Sequence, residues 1–194
     1  MIMQSDAASR PGVLLGTNGP ELEEMRLLGV VDAEGQPGER PSMQAMSAGR
    51  VPRTAIEAHD VLNEAHAYAR PSSFSRGLRI PLGTVDLLLI SGTASIDEAG
   101  VSVHVGNFRA QLWRTYRNIT RLLESEGATW HDIVRTSCYL RDIERDYRDF
   151  NEVRTAFFTW LGLDPLPAST GIQARLCREE LLVEIEAIAV LPRR

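Results

Sequence analysis

The last apolar segment of the chain, LLVEIEAIAV (residues 181–190), places two glutamates inside a stretch with the composition of a buried strand. A strand has a side-chain period of two, so Glu184 and Glu186 share one face, roughly 7 Å apart. The opposite face holds small and apolar residues: Val183, Ile185, Ala187 and Ala189. An ionised carboxylate is costly to bury without a partner. The face with the glutamates also holds Leu182, Ile188 and Val190, so it is half acidic and half apolar, which predicts a subunit interface that contains a pocket.

The region before this segment predicts two strands and a helix. Residues 74–82 and 84–92 have strand composition and are joined by a short glycine-containing turn. A helix is predicted between Asn107, a suitable N-cap, and Gly127, a suitable stop. Its buried stripe recurs at helical spacing: Phe108, Leu112, Thr115, Tyr116, Ile119, Leu122 and Leu123.

A strand, a second helix and a further strand complete the pattern. The strand around residues 132–140 is predicted to bury one alternating set: Val134, Thr136, Cys138 and Leu140. The helix stripe is predicted to contain Tyr147, Phe150, Val153, Phe157, Trp160 and Leu161, and Gly162 ends the helix. Residues 169–174 form a strand before the glutamate-bearing one. The order strand-strand-helix-strand-helix-strand-strand predicts an α+β fold, a mixed sheet with two helices on one face.

Residues 1–65 differ in composition from residues 66–194. They are rich in proline and glycine, and residues 32–42 are turn-rich without apolar periodicity. Residues 13–15 and 26–31 are possible short strands. The sequence therefore predicts an N-terminal extension, docked or partly mobile, followed by one domain from residue 66.

Charge and composition exclude several classes of function. The net charge of −5 argues against a surface that coats nucleic acid. Cys138 and Cys177 are the two cysteines, and they give neither a disulfide framework nor a zinc signature. No apolar run reaches the roughly 20 residues that span a bilayer, and the first residues lack a signal-peptide pattern. A cytoplasmic protein without metal, cofactor, nucleic-acid or membrane partner is expected.

Three segments, residues 87–97, 118–158 and 167–190, resemble the Rid/YjgF family, formerly labelled L-PSP endoribonucleases. The resemblance covers roughly residues 74–190. It implies a chorismate-mutase-like fold, a homotrimer and pockets between the subunits. It also implies hydrolysis of reactive enamine or imine acids to ketoacids, without a cofactor.

The resemblance assigns roles to individual residues. The family glutamate that positions the hydrolytic water matches Glu184. The deaminating branch has an arginine after Pro-Ala that grips the substrate carboxylate, and this chain has Ser169 there. Gly171, which follows Thr170, matches the residue whose backbone N–H helps to hold the ligand, and Phe74 stands where that branch has a tyrosine. The water-positioning carboxylate is thus kept while the carboxylate clamp is lost.

A second resemblance concerns the catalytic half of the chorismatases, which cleave the enolpyruvyl ether of chorismate to release pyruvate on a Rid-like domain. Four segments carry it: residues 68–77, 91–96, 104–107 and 169–177. It implies Glu184 as the catalytic group, Cys177 as a pocket cysteine, and Gly92 and Thr93 as substrate-binding residues. Chorismatases have a longer N-terminal half, so the chain is interpreted as a chorismatase-like Rid protein.

An anionic substrate requires local positive charge in this acidic protein. Arg70, Arg76 and Arg175 are the candidate grips, because a guanidinium holds a carboxylate through two hydrogen bonds. Glu184 is the candidate general acid, whereas Glu186 is expected to pair with an arginine across the trimer.

Three functions stay open from the sequence. The chain is a chorismatase-like hydrolase acting on a small carboxylate-bearing metabolite, an enamine or imine deaminase, or a non-catalytic module that binds metabolites. Glu184 separates the enzymes from the binding module, because a module needs no general acid.

Overall fold

The structure is a computed structural model that describes residues 51–69 and 71–193, with residues 23, 26–28, 30–34, 36 and 38 nearer the N-terminus. The chain forms two compact units, Met1–Arg50 and Val51–Arg194. In the first unit, Asp32 Oδ1 accepts hydrogen bonds from the backbone N–H groups of Glu34 and Gln36, which makes a turn within the predicted turn-rich segment. Arg26 and Leu27 are helical, in contrast to the short strand that the sequence suggests at residues 26–31. Residues 13–15 lie outside the described residues.

The second unit contains a six-stranded mixed sheet and two α-helices in its described part. The elements in chain order are β1 (Thr54–Ala55), β2 (Gly77–Leu82), β3 (Val85–Ala94), α1 (Phe108–Ser125), β4 (Ile133–Leu140), α2 (Ile143–Leu161), β5 (Ala168–Gln173) and β6 (Val183–Pro192). The strand order in the sheet is β1-β2-β3-β6-β4-β5. Every pairing is antiparallel except β4–β5, which is parallel. The predicted α+β class with a mixed sheet is confirmed.

Strand β6 lies between β3 and β4 and follows the predicted alternation. Its buried residues are Val183, Ile185, Ala187, Ala189 and Leu191. These side chains belong to the same core cluster as the apolar stripes of α1 and α2. Glu184 and Glu186 share the opposite face and are half-buried. The glutamates thus lie on a central strand, on the face turned away from this core.

Helix α1 begins and ends where the sequence predicts. The Asn107 side chain accepts a hydrogen bond from the backbone N–H of Ala110, so it caps the helix. Gly127 follows the helix with a φ of 69°, a conformation that glycine adopts without strain. All seven residues of the predicted stripe are buried. No helix among the described residues is long and apolar enough to cross a membrane.

Two predicted burial patterns are wrong at their margins. Ile133 and Arg135 of β4 pair with adjacent residues of β6, so Val134 is the extra residue of a bulge and is exposed. In α2, Trp160 lies at the edge of the stripe and is 79% exposed, and Tyr147 is also exposed. Phe158, one position from the predicted stripe member Phe157, is buried.

Residues 51–65, which the sequence assigns to the extension, lie in the same compact unit as the sheet. Thr54 and Ala55 pair with β2, and Ile56 and Leu62 are fully buried in the core. The sequence missed β1 because a two-residue strand has no measurable alternation. The division of the chain at residue 65 stays a prediction.

Candidate functional site

A cavity of about 160 Å³ lies beside Glu184. Five residues predicted from the sequence line it together: Phe74, Arg76, Gly92, Cys177 and Glu184. They come from the loop before β2, from β3, from the loop before β6 and from β6 itself. The sheet therefore gathers in one place groups that are more than 100 positions apart in the chain.

The Glu184 carboxyl lines the cavity without an internal partner among the described residues. It is half-buried, and none of the hydrogen bonds or ion pairs between described residues involves its carboxyl group. Burial raises its pKa above the ordinary value of 4.5, and the nearby Glu186 carboxylate raises it further. A raised pKa keeps more of the carboxyl protonated near neutral pH, which suits a general acid.

Gly92 makes room for this carboxyl group. A Cβ on Gly92 would lie 2.1 Å from Oε1 of Glu184, far closer than non-bonded atoms can approach. The pairing of β3 with β6 is irregular between Ile90 and Thr93, so the backbone departs from regular strand geometry at the same place. A glycine at an irregularity thus lets a long acidic side chain lie across the neighbouring strand.

Arg76 provides positive charge at the cavity wall. It is only 4% exposed, and its guanidinium lies 5.0 Å from the ring centroid of Tyr68 and 5.2 Å from that of Phe74. Its Nε donates to the backbone carbonyl of Asn63 at 3.1 Å, but its buried Nη2 has no partner among the described residues. Buried donors are nearly always satisfied, so this nitrogen can donate to an acceptor that enters the cavity.

Tyr68 and Arg178 are two of the seven lining residues that were not predicted as site residues. Burial raises the pKa of the Tyr68 phenol, and its hydroxyl has no partner among the described residues. Arg178 donates to the Gly100 carbonyl and, at 3.4 Å, to Ser102 Oγ. The sequence signal for Tyr68 is its place at the start of residues 68–77, which carry the resemblance to chorismatases. Arg178 follows the predicted Cys177 directly, yet the sequence alone gave it no separate signal.

The predicted residues of β5 lie elsewhere in the same chain. Ser169, Thr170 and Gly171 are exposed on this edge strand and do not line the Glu184 cavity. Ser169 Oγ accepts hydrogen bonds from Thr136 Oγ1 at 3.0 Å and from Arg154 Nη1 at 3.3 Å. Within one chain, the predicted site is therefore divided between two places.

Three other predicted binding residues are not brought to the cavity. Arg175 is exposed and does not line it. Thr93 is buried, because it pairs with Ile185 on the core side of the sheet. Its hydroxyl donates to the Ser91 carbonyl at 2.8 Å. Arg70 lies outside the described residues. Of the three candidate arginine grips, the structure thus places Arg76 at the cavity.

Glu186 has a partner inside the chain. Its Oε1 accepts a hydrogen bond from the Tyr139 hydroxyl at 3.0 Å, and this bond raises the pKa of the Tyr139 phenol. Glu186 and Arg135 both line another cavity, of about 380 Å³, on this face of the sheet. Among the described residues, no group of three or more histidine, cysteine or acidic side chains could hold a metal ion.

Comparison with known proteins agrees with this architecture. The family model described as "Endoribonuclease L-PSP" matches residues 64–191. A RutC family protein of Pyrococcus abyssi is 29% identical over 104 residues, which cover 54% of this chain and 78% of that protein. The 3-aminoacrylate deaminase RutC of Acinetobacter baylyi is 29% identical over 104 residues, covering 54% of this chain and 79% of that protein. Escherichia coli TdcF with bound serine has a TM-score of 0.58 at 21% identity, over 71% of this chain and 98% of that chain, which shows a shared fold.

Proposed function

The chain belongs to the endoribonuclease L-PSP (Rid/YjgF) family, and we propose that it hydrolyses a small carboxylate-bearing metabolite at an unsaturated carbon that carries nitrogen or oxygen. One observation carries this proposal. Glu184, with a raised pKa and no partner among the described residues, lies in the same cavity as the unpartnered Nη2 of Arg76. A proton donor and a carboxylate grip are the two groups that such a reaction requires.

The first substrate class consists of enamine or imine acids. Protonated Glu184 gives its proton to the terminal carbon of the enamine, which leaves an iminium ion and the Glu184 carboxylate. That carboxylate then takes a proton from a water molecule as the water attacks the iminium carbon. Collapse of the carbinolamine releases ammonia and a ketoacid. The similarity to a 3-aminoacrylate deaminase supports this class.

The second substrate class consists of enol ethers such as chorismate, on which the same acid performs the same first step. Protonation of the methylene carbon gives an oxocarbenium ion, water attacks that ion, and the hemiketal collapses to pyruvate and an alcohol. Ser169 supports this class, because the arginine expected there in the deaminating branch is missing. A chorismatase-like substrate is thus a second candidate for the same Glu184 cavity.

We place the complete site in a homotrimer. The six residues of β5 are all exposed, and an exposed edge strand that carries three predicted ligand-binding residues is suited to a subunit contact. Ser169, Thr170 and Gly171 would then reach the Glu184 cavity of a neighbouring subunit. Cys177 is a wall residue of this cavity, and no step of the reaction depends on its thiol.

One assay tests both substrate classes because both release pyruvate. Chorismate, and 2-aminoacrylate generated from serine by a dehydratase, are each supplied while lactate dehydrogenase reports pyruvate. Acceleration of either reaction above its rate without the protein supports the proposal. If the intact assembly accelerates neither reaction, the non-catalytic binding module becomes the better description.

A further inference from the structure

Tyr68 is a polar residue of the Glu184 cavity to which the proposed hydrolysis gives no role. It lines the cavity together with Arg76 and Glu184. Its hydroxyl is buried and has no hydrogen-bond partner among the described residues. Buried hydroxyl groups nearly always have a partner, and a phenol donates one hydrogen bond. A ligand that enters the cavity can therefore supply the partner that the chain does not.

Close packing fixes the position of the Tyr68 ring. Gly100 has a φ of 77°, and a Cβ on it would lie 2.6 Å from Cγ and Cδ2 of this ring. The Arg178 guanidinium donates to the Gly100 carbonyl and so holds the backbone against the ring. The guanidinium of Arg76 lies 5.0 Å from the centroid of the same ring. These neighbours contact the ring and leave the hydroxyl free.

The charges around Tyr68 decide what its hydroxyl binds. Burial raises the pKa of the phenol, and the positive charges of Arg76 and Arg178 offset only part of this rise. The phenol therefore keeps its proton near neutral pH and is an uncharged donor. Two positive charges nearby also repel a cationic group and attract an electron-rich atom. The Tyr68 hydroxyl is thus suited to an acceptor oxygen of the ligand.

Arg76 and Tyr68 offer the ligand two different donors. A charged donor forms the stronger hydrogen bond with a carboxylate, so Arg76 takes the substrate carboxylate. The uncharged donor of Tyr68 is left for an uncharged acceptor, and the small cavity, about 160 Å³, keeps that acceptor close to the carboxylate. In the proposed hydrolysis, water attacks C2, the carbon next to the carboxylate, and its oxygen stays there in the ketoacid.

We propose that Tyr68 is a substrate-binding residue whose phenol donates a hydrogen bond to the C2 oxygen of 2-oxo acids and of the intermediate that precedes them. Arg76 holds the carboxylate of the same molecule. This inference rests on the proposed function, because it assigns one atom of that substrate to one residue of that cavity. It makes Tyr68 the residue that distinguishes acids with an oxygen at C2 from acids without one.

Pyruvate and propionate are the probes, since they have the same charge and similar size and differ in the C2 oxygen. Methyl NMR spectra of the full chain follow each titration through Leu181, which lines the cavity. Wild type is expected to bind pyruvate roughly threefold to tenfold more tightly than propionate, the effect of one uncharged hydrogen bond. Tyr68→Phe removes only the hydroxyl, so it should weaken pyruvate binding to the level of propionate and leave propionate binding unchanged.

Matched variants separate this hydrogen bond from general effects on the fold. Tyr147→Phe removes the hydroxyl of an exposed tyrosine outside the cavity and should keep the wild-type preference for pyruvate. Gly100→Ala pushes against the Tyr68 ring and should reduce the preference as Tyr68→Phe does. Gly83→Ala should keep the preference, because Gly83 also has a positive φ, of 65°, but no atom lies within 4 Å of its added Cβ.

Three outcomes would overturn the proposal. They are an unchanged pyruvate preference in a folded Tyr68→Phe variant, an equal loss of affinity for both acids, and a Leu181 signal that neither acid shifts. An equal loss would place the phenol on the carboxylate. If Tyr68→Phe fails to fold, an unchanged preference in Gly100→Ala has the same force. Binding is measured here without turnover, so a failure to release pyruvate in the enzyme assay bears on the proposed hydrolysis alone.

Discussion

Oε1 of Glu184 occupies the space that a side chain on Gly92 would fill, since a Cβ there would lie 2.1 Å from this oxygen. The two residues belong to neighbouring strands, β3 and β6, and both line the same cavity. The position of the acidic group is therefore set by a residue without a side chain. This relationship can be tested by adding a single methyl group.

Gly92→Ala is expected to displace the Glu184 carboxyl and to reduce turnover about tenfold or more, since general acid–base groups act only within hydrogen-bond reach. The measurement is kcat for whichever substrate releases pyruvate. The melting temperature of the variant is measured beside kcat, because the alanine must leave the fold intact for the comparison to hold. An alanine at position 92 that keeps full turnover would show that the cavity tolerates a shifted carboxyl.

The raised pKa of Glu184 predicts how stability depends on pH. Between the ordinary value of 4.5 and the raised pKa, the folded state binds more protons than the unfolded state. The contribution of Glu184 to the free energy of unfolding therefore falls as pH rises through that window. Glu184→Gln removes this dependence, so the stability of the variant relative to wild type should rise as pH increases above about 4.5 and level off once the raised pKa of Glu184 is passed. Urea denaturation across this range measures it, and a constant difference would exclude the raised pKa.

Arg76→Gln is expected to raise KM roughly tenfold to a hundredfold, because it removes a buried charge that would pair with the substrate carboxylate. Arg175→Gln makes the same charge change at an exposed residue outside the cavity and should have little effect. Arg76 also packs between Tyr68 and Phe74, so the melting temperature of the variant must be measured. Equal KM values for the folded variants would remove Arg76 from the site.

The homotrimer is expected to have three times the chain mass of 21.5 kDa. Light scattering on a size-exclusion column at micromolar concentration measures this mass. Ile172→Asp, which places a charge on the exposed strand β5, should shift the chain toward a monomer. A wild-type monomer with full turnover would mean that Ser169, Thr170 and Gly171 take no part in the site.

The central strand and α1 could be predicted from the sequence because their patterns are long. Five positions of β6 alternate without interruption, and the α1 stripe covers four turns between a cap and a glycine. Val134 could not be placed, because a one-residue bulge changes the face of every residue before it. Trp160 was misplaced because an apolar residue near a helix end extends the periodic pattern without contacting the core.

The candidate site was predicted unevenly for a similar reason. Glu184 lies on a regular strand, so its face follows from its position. Tyr68 and Arg178 lie in loops, where no period relates position to direction. The close approach of Glu184 to Gly92 depends on the pairing of β3 with β6, which the sequence does not specify.

The most direct test of the account compares Glu184→Gln with Glu186→Gln. Both changes remove one carboxylate from the same face of β6, but only Glu184 lines the cavity with Arg76, whereas Glu186 accepts a hydrogen bond from Tyr139. We predict that Glu184→Gln keeps its fold and loses about a hundredfold or more in turnover. Glu186→Gln should keep its turnover and show a lower melting temperature or a weaker trimer. A folded Glu184→Gln variant that releases pyruvate at the wild-type rate would contradict the mechanism.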